Sequence, residues 1–314
     1  MRFTTLFTAA NPAIPAGGFV GESKQEILER LRDIGGAVPY SMLLREGPSE
    51  ARMSRAKLFL ETRELKFPVV LKPDAGQRGS GVAIIRSLAE LEDYIAHVTF
   101  PVILQEYIPG VGFGIFYVRH PSENRGYILS ITEKRMPIVI GDGRRSLEEL
   151  ILADNRAVAM SSYYVEKNCA DAHRTLAAGE QFQLVEIGTH CRGAIFLDGG
   201  RHLTKALGEA MDRIAGRFVG FYFGRFDVRV PSPANLEAGR LLKVVELNGV
   251  TSEATHIYDP KLGLGEAYRV LFKQWRLAFE IGNENRVRGA VPTSPRKLFQ
   301  MLRLYHRMSK AYPR

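Results

Sequence analysis

Two short stretches in the last third of the chain constrain it most. In Arg225-Phe226-Asp227-Val228-Arg229 and Val244-Val245-Glu246-Leu247-Asn248, polar and apolar residues alternate. A period of two places Arg225, Asp227 and Arg229 on one face of a strand, with Phe226 and Val228 on the other. Glu246 and Asn248 share a face in the same way. Two carboxylates and an amide oxygen are hard ligands of the kind Mg²⁺ takes when it bridges phosphates. The alternative is a surface ion pair, Arg225–Asp227, with Glu246 elsewhere. Apolar neighbours on both strands argue against full exposure.

The rest of the chain supplies both helix and strand patterns. Residues 1–22 read as an irregular Pro- and Gly-rich leader with one short strand at 3–7. Ile27, Leu28 and Leu31 share a helical face after Ser23, a candidate N-cap, and Gly35-Gly36 stops the helix. A solvated helix is expected near 54–63, strands at 67–71, 82–86 and 102–107, and an amphipathic helix at 88–98. Further strands are expected at 114–119, 126–131 and 136–140. Ser146 and Glu149 have capping-box spacing, so a helix begins there. Another helix is expected at 202–219, with strands at 226–230 and 241–247 joined by a loop at 231–239. Sheet and helix mix without regular βαβ alternation, which favours α+β with two lobes.

The net charge of +9 is unevenly placed. Residues 286–314 hold eight Lys/Arg and no Asp or Glu, and the remainder carries 35 basic against 34 acidic side chains. The body therefore gives little support to nucleic-acid binding. Leu298, Phe299, Met301, Leu302 and Tyr305 alternate with Arg303 and Arg307 in an amphipathic helix that docks on the body, meets an anionic membrane surface or meets acidic partners. Two cysteines, Cys169 and Cys191, make no disulfide framework and suggest a reducing compartment. No run of 18 apolar residues is present and the first residues are no secretory signal, so a cytoplasmic location is expected.

Lys72 ends a short apolar run and is followed by Gly76, Gly79 and Gly81, with Gln77, Arg78 and Ser80 between them. Flexible glycine backbone can approach phosphate and offer N–H donors, although the segment equally suits a plain hairpin turn. GxxxxGK[ST] is absent.

Lys72 with its glycine loop, then Leu104-Gln105-Glu106-Tyr107-Ile108, Gly224-Arg225-Phe226-Asp227-Val228-Arg229 and Glu246-Leu247-Asn248-Gly249 occur in an order that resembles the ATP-grasp superfamily. The resemblance is strongest to D-alanine–D-alanine ligase-like carboxylate–amine ligases, over roughly 23–259. It implies an ATP-grasp fold, with a small lobe at 23–107, a large lobe at 108–282 and a basic helix or tail at 283–314. It implies ATP and Mg²⁺ as cofactors. Lys24 resembles a lysine that reaches phosphate, Lys72 a second, and Gln77, Arg78, Gly79, Ser80 and Gly81 the loop that covers phosphates. Gln105, Glu106, Tyr107 and Ile108 resemble the adenine hinge. Arg225 resembles the arginine that stabilises phosphoryl transfer, and Asp227, Glu246 and Asn248 the magnesium ligands.

Three departures qualify the resemblance. Gly112 falls where the family has an acidic ribose-binding residue. Only 23 residues precede Lys24, where the family carries a Rossmann-like domain. The segment after Asn248 lacks the Ser-Pro-Gly of peptide-forming relatives, which argues against D-alanine as acceptor. Residues 136–150 look instead like stretches of cyanophycin synthetase and related glutamate ligases. Arg135, His190, Arg192 and Thr251 are substrate-side candidates, since arginines can hold a carboxylate by forked hydrogen bonds. The expected activity is an ATP-dependent ligase joining a small-molecule carboxylate to an amine or thiol through an acyl phosphate. A kinase that stops at phosphoryl transfer, and a non-catalytic ATP-binding or membrane-associated scaffold, are the alternatives. Peripheral membrane contact through 286–314 and a homodimer stay open.

Overall fold

The computed structural model describes residues 4–31, 35–75, 79–188 and 193–309. Its architecture is the α+β, two-lobed one expected. The elements are α1 (Lys24–Arg30), β1 (Ser41–Leu44), α2 (Ser49–Thr62), β2 (Val69–Pro73), β3 (Ala83–Ile85), α3 (Leu88–His97), β4 (Val102–Glu106), β5 (Val111–Val118), β6 (Tyr127–Arg135), β7 (Ile138–Ile140), α4 (Leu147–Ala153), α5 (Ser161–Lys167), β8 (Gln181–Gln183), β9 (Ile195–Asp198), α6 (Lys205–Arg217), β10 (Phe223–Val230), α7 (Pro233–Glu237), β11 (Lys243–Asn248), α8 (Leu264–Val287) and α9 (Pro295–Ser309).

The first sheet has the order β1-β4-β2-β3, antiparallel throughout. Its alternation decides the orientation of the site. Val69 and Leu71 of β2, with Val102 and Leu104 of β4, join Met53, Ala56 and Leu60 of α2 and Leu91 and Ile95 of α3 in one core. Period two then turns Lys72 and Gln105 to the opposite face. Helix α2 is thus less solvated than expected, because Arg52, Met53, Ala56 and Leu60 are buried. Arg52 spends its guanidinium on the carbonyls of Val98 and Phe100.

The second sheet has the order β11-β10-β5-β6-β9. Phe113, Ile115, Ile131, Phe226 and Val228 pack on Leu207, Met211 and Ile214 of α6 and on Ile27 and Leu28 of α1. Helix α1 therefore belongs to the large-lobe core, although the expected lobe boundary places it with 23–107. Its N-terminus remains tied to the small lobe. Ser23 Oγ accepts from Glu26 N–H at 3.1 Å and donates to Asp74 Oδ1 at 3.0 Å, and Asp74 also accepts from Gln25 N–H at 3.0 Å. A third core gathers Val139, Leu147, Leu150, Tyr164, Leu176 and Leu184 around β7, β8, α4 and α5, and both halves of the Ser146–Glu149 capping box are present.

Three expectations are corrected. The leader is packed into the molecule, with 3-10 turns at Leu6–Ala9 and Pro15–Gly17 and no strand at residues 4–7; residues 1–3 lie outside the described residues. Asn11 is fully buried; its amide donates to Gly17 O (3.0 Å) and Phe223 O (2.7 Å) and accepts from Tyr222 and Phe223 N–H, both 2.9 Å. Helix α8 runs unbroken across the 282/283 boundary, with Asn285 bonded to the carbonyls of Ala9 and Ala10. The expected loop at 231–239 contains α7, capped by Ser232. No helix among the described residues is long and apolar enough to cross a membrane.

Candidate active site

The polar face of the second sheet is centred on Asp227. On β10 it stands opposite Glu246 of β11, with Arg225 opposite Asn248. Its carboxylate accepts from Arg225 Nε at 2.9 Å and from Lys134 Nζ at 2.9 Å, and it is buried. Gly114 lies between them on β5. A Cβ there would sit 3.1 Å from Arg225 Cδ and 3.5 Å from Asp227 Oδ1, so the bare backbone makes room for the pair. Arg225 also donates to Glu253 O at 3.0 Å, anchoring the segment after β11. Burial works against the Asp227 anion, but the Arg225 and Lys134 charges outweigh it and hold the carboxyl well below the usual range.

Two lysines reach β11 from outside this sheet. Lys24, at the start of α1, pairs with Glu246 Oε1 at 2.7 Å. Burial opposes its ammonium, yet Glu246, Glu22 and Asp227 together raise its pKa. Lys72, from the first sheet, donates to Val245 O at 2.9 Å and to Gln105 Oε1 at 3.0 Å. Among the described residues it has no carboxylate in contact, and burial pushes its pKa down to about 8. Glu246 is held below the ordinary carboxylate range: burial opposes this, and Lys24 and Lys72 outweigh it. Glu22 lies near Lys24 and Glu246 in the same field, and burial raises its pKa.

Lys24, Lys72, Arg225, Asp227, Glu246 and Asn248 are gathered around β10 and β11. Gly79, Ser80 and Gly81 lie in the connection of the β2–β3 hairpin, where Gly79 and Gly81 have φ of +77° and +69°. Gln77, Arg78, His190 and Arg192 lie outside the described residues. At the hinge, Gln105 is occupied by Lys72, Glu106 N–H donates to Tyr40 O at 2.8 Å, Tyr107 lies under the Arg229 guanidinium, and Ile108 is half-buried.

Two substrate-side candidates have their side chains engaged by other partners. Arg135 donates to Glu133 Oε1 at 2.6 Å, and alternation along β6 puts both on the face away from Lys134. Thr251 gives its hydroxyl to Gly18 O at 3.1 Å, fastening the leader. Lys134 is the residue that sequence reasoning missed. The signal was available: counting by twos from Ile131 and Glu133 leaves Thr132 and Lys134 on the polar face.

Among the described residues no group of three or more His, Cys, Asp or Glu forms a metal centre. The donor set still suits Mg²⁺ in kind. Asp227 and Glu246 are adjacent hard carboxylates, and Asn248, opposite Arg225 on the neighbouring strand, adds an amide oxygen of the same hard kind. Ion pairs among its own side chains hold the cluster together. A cavity of about 440 Å³ lies beside Ile14, Glu22, Glu26, Arg30 and Phe218.

No family model matches the sequence, and no curated protein does. Among solved structures, the chain is similar to a bifunctional glutathione synthetase from Pasteurella multocida, at 15% identity over 83% of this chain and 38% of that one, with a TM-score of 0.41. It is similar to a D-alanine–D-alanine ligase from Bacillus anthracis complexed with ATP, at 15% identity over 85% of this chain and 68% of that one, with a TM-score of 0.46. It is also similar to the ATP-grasp ligase PsnB complexed with a minimal precursor, at 14% identity over 81% of this chain and 60% of that one, with a TM-score of 0.44. The chain thus spans 38% of the glutathione synthetase and 60% of PsnB. At these scores the likeness carries no argument about chemistry, which has to come from the side chains.

Proposed function

We propose that the chain is an ATP-dependent ligase of the ATP-grasp kind, which activates a carboxylate as an acyl phosphate and passes it to an amine. The observation that carries this reading is the meeting of two lysines on consecutive residues of one strand. Lys24 is on Glu246 and Lys72 is on Val245 O, beside buried Asp227 and its partners Arg225 and Lys134. A polyanion at the mouth of this cluster meets four cations, and the acidic residues among them can hold a divalent ion.

In the proposed reaction, a carboxylate oxygen attacks the γ-phosphorus of ATP and ADP leaves. The amine then attacks the acyl carbon and phosphate departs. Lys24 exchanges Glu246 for a phosphate oxygen, freeing that carboxylate. Lys72 meets phosphate as a point charge whose desolvation is already complete. Arg225 can turn part of its fork from Asp227 to the transferring phosphoryl group, the electrostatic work such a transfer needs. Asp227, Glu246 and Asn248 would hold Mg²⁺, which supplies neutralisation of phosphate charge. No side-chain nucleophile is required.

ADP release with ATP, Mg²⁺ and a panel of amino acids and dipeptides tests the reading. We expect release that depends on both an acid and an amine, and its loss in an Asp227→Ala, Glu246→Ala double variant that keeps its far-ultraviolet circular dichroism. Unchanged turnover in that variant contradicts the mechanism. A stable phosphorylated product in place of an amide points to a kinase.

A further inference from the structure

Helix α8 buries Gln274, Leu277, Ala278 and Ile281 and carries a second apolar row on another side. Leu264, Tyr268, Phe272, Trp275 and Phe279 recur at spacings of four, four, three and four, which is one stripe of a helix. Leu264 is 74% exposed and Phe272 73%. Single exposed apolar residues are ordinary, but a row over four turns is not.

The row continues through the leader into α9. Phe7 stands edge-on to Trp275 at 5.6 Å and to Phe279 at 5.8 Å, and lies 5.3 Å from Phe19. Helix α9 seats Leu298, Met301 and Tyr305 against Phe7 and Phe19. That leaves Phe299 and Leu304, each 60% exposed, uncovered on the same helix. Helix α9 is therefore docked on the body and still carries an apolar surplus.

Charge decides what covers this surface. Arg296, Lys297, Arg303 and Arg307 have no acidic partner among the described residues, and no Asp or Glu follows Glu284. On α8, Arg269 and Arg276 are neutralised by Glu266 and Glu280, while Lys273 adjoins Phe272. A twofold contact with a second copy would set this cationic surface against itself, which costs affinity. An anionic lipid surface complements it: aromatic rings enter the boundary between headgroups and chains, and the cations lie over lipid phosphates.

We propose that α8 and α9 together form a docking face for an anionic membrane surface. The test is co-sedimentation of the full chain with vesicles of phosphatidylcholine alone or with about 30 mol% phosphatidylglycerol, at low and high salt. Emission of Trp275, the only tryptophan, is followed in parallel. Binding to the anionic vesicles only, weakened by salt and accompanied by a blue shift, is expected. A Leu264→Ser, Phe272→Ser, Phe299→Ser variant and a Lys297→Glu, Arg303→Glu, Arg307→Glu variant should each lower partition by about tenfold or more, with unchanged circular dichroism. Equal binding to both vesicles, binding to neither, or unaltered binding by both variants overturns the proposal. A parent dimer that the serine variant dissolves, without vesicle binding, also overturns it and assigns the face to a second copy.

Discussion

Lys24 and Lys72 touch neighbouring residues of the same strand, yet the two lobes deliver them in opposite electrostatic states. Lys24 comes from a helix packed into the large-lobe core and meets a carboxylate at 2.7 Å. Lys72 comes from the first sheet and, among the described residues, bonds a side-chain amide and a backbone carbonyl. One charge is compensated before any ligand arrives, and the other is held against its own desolvation. The difference divides the work. Lys24 stabilises the fold and, in the proposed reaction, must be released to serve; Lys72 costs stability and, in that reaction, is ready. A cation kept dry without a counter-ion is an attractive place for phosphate, because the desolvation of the lysine is already complete.

The largest effect that tests this division is on turnover. Lys72→Met and Lys24→Met should each lower the rate of ADP release by about 10²–10³-fold, the range for removing one preorganised donor. Steady-state assays at saturating ATP measure it. An activity loss below about tenfold in either variant would remove that lysine from the phosphate site.

Stability separates the two more sharply, because the signs differ. Lys24→Met leaves Glu246 without its closest cation and should destabilise by about 1–2 kcal/mol, less than a fully buried pair because both side chains keep some exposure. Lys72→Met removes a desolvated charge and should stabilise by about 1 kcal/mol at pH 7, after the lost hydrogen bonds are counted. The sign with pH follows. Below about 8 both folded and unfolded Lys72 are charged, and the cost is complete. Between there and the ordinary lysine value the unfolded chain binds more protons, so the parent gains stability as pH rises and the advantage of Lys72→Met shrinks. Urea titrations of both variants at pH 7 and pH 9.5 measure this; two changes of the same sign would refute the contrast.

What the sequence made legible follows the same line between local and distant causes. The caps at Ser23 and Ser146 were readable because each hydroxyl bonds a backbone N–H three residues on. The faces of β10 and β11 were readable because alternation is a property of the strand itself. The leader was misread because its order comes from far away: Asn11 is satisfied by Tyr222 and Phe223. Lys134 was missed because Arg135 next to it offers the better fork for a carboxylate, although alternation sets Arg135 with Glu133 on the other face, where the two bond. Strand β1 escaped notice because four residues, Ser41 to Leu44, are too few to show a period, and β4 pairs with all of them. The bond between Lys72 and the Gln105 side chain was not readable, because it joins residues 33 apart in the chain.

The smallest expected effect is also the most specific to Lys72. Its pKa of about 8 leaves it mostly neutral at pH 8.5 when no nucleotide is bound. Phosphate within hydrogen-bonding distance favours the ammonium and raises that value. Binding ATP at pH 8.5 should therefore draw in most of a proton, and at pH 7.5 only about a quarter of one. Titration calorimetry in two buffers of different ionisation enthalpy gives the number directly. Lys24, already protonated through Glu246, should contribute nothing, so Lys24→Met should keep the uptake in whatever binding survives and Lys72→Met should abolish it. Proton-neutral binding by the parent at pH 8.5 would mean that Lys72 carries its charge throughout, and that the two lysines differ in partners but not in readiness.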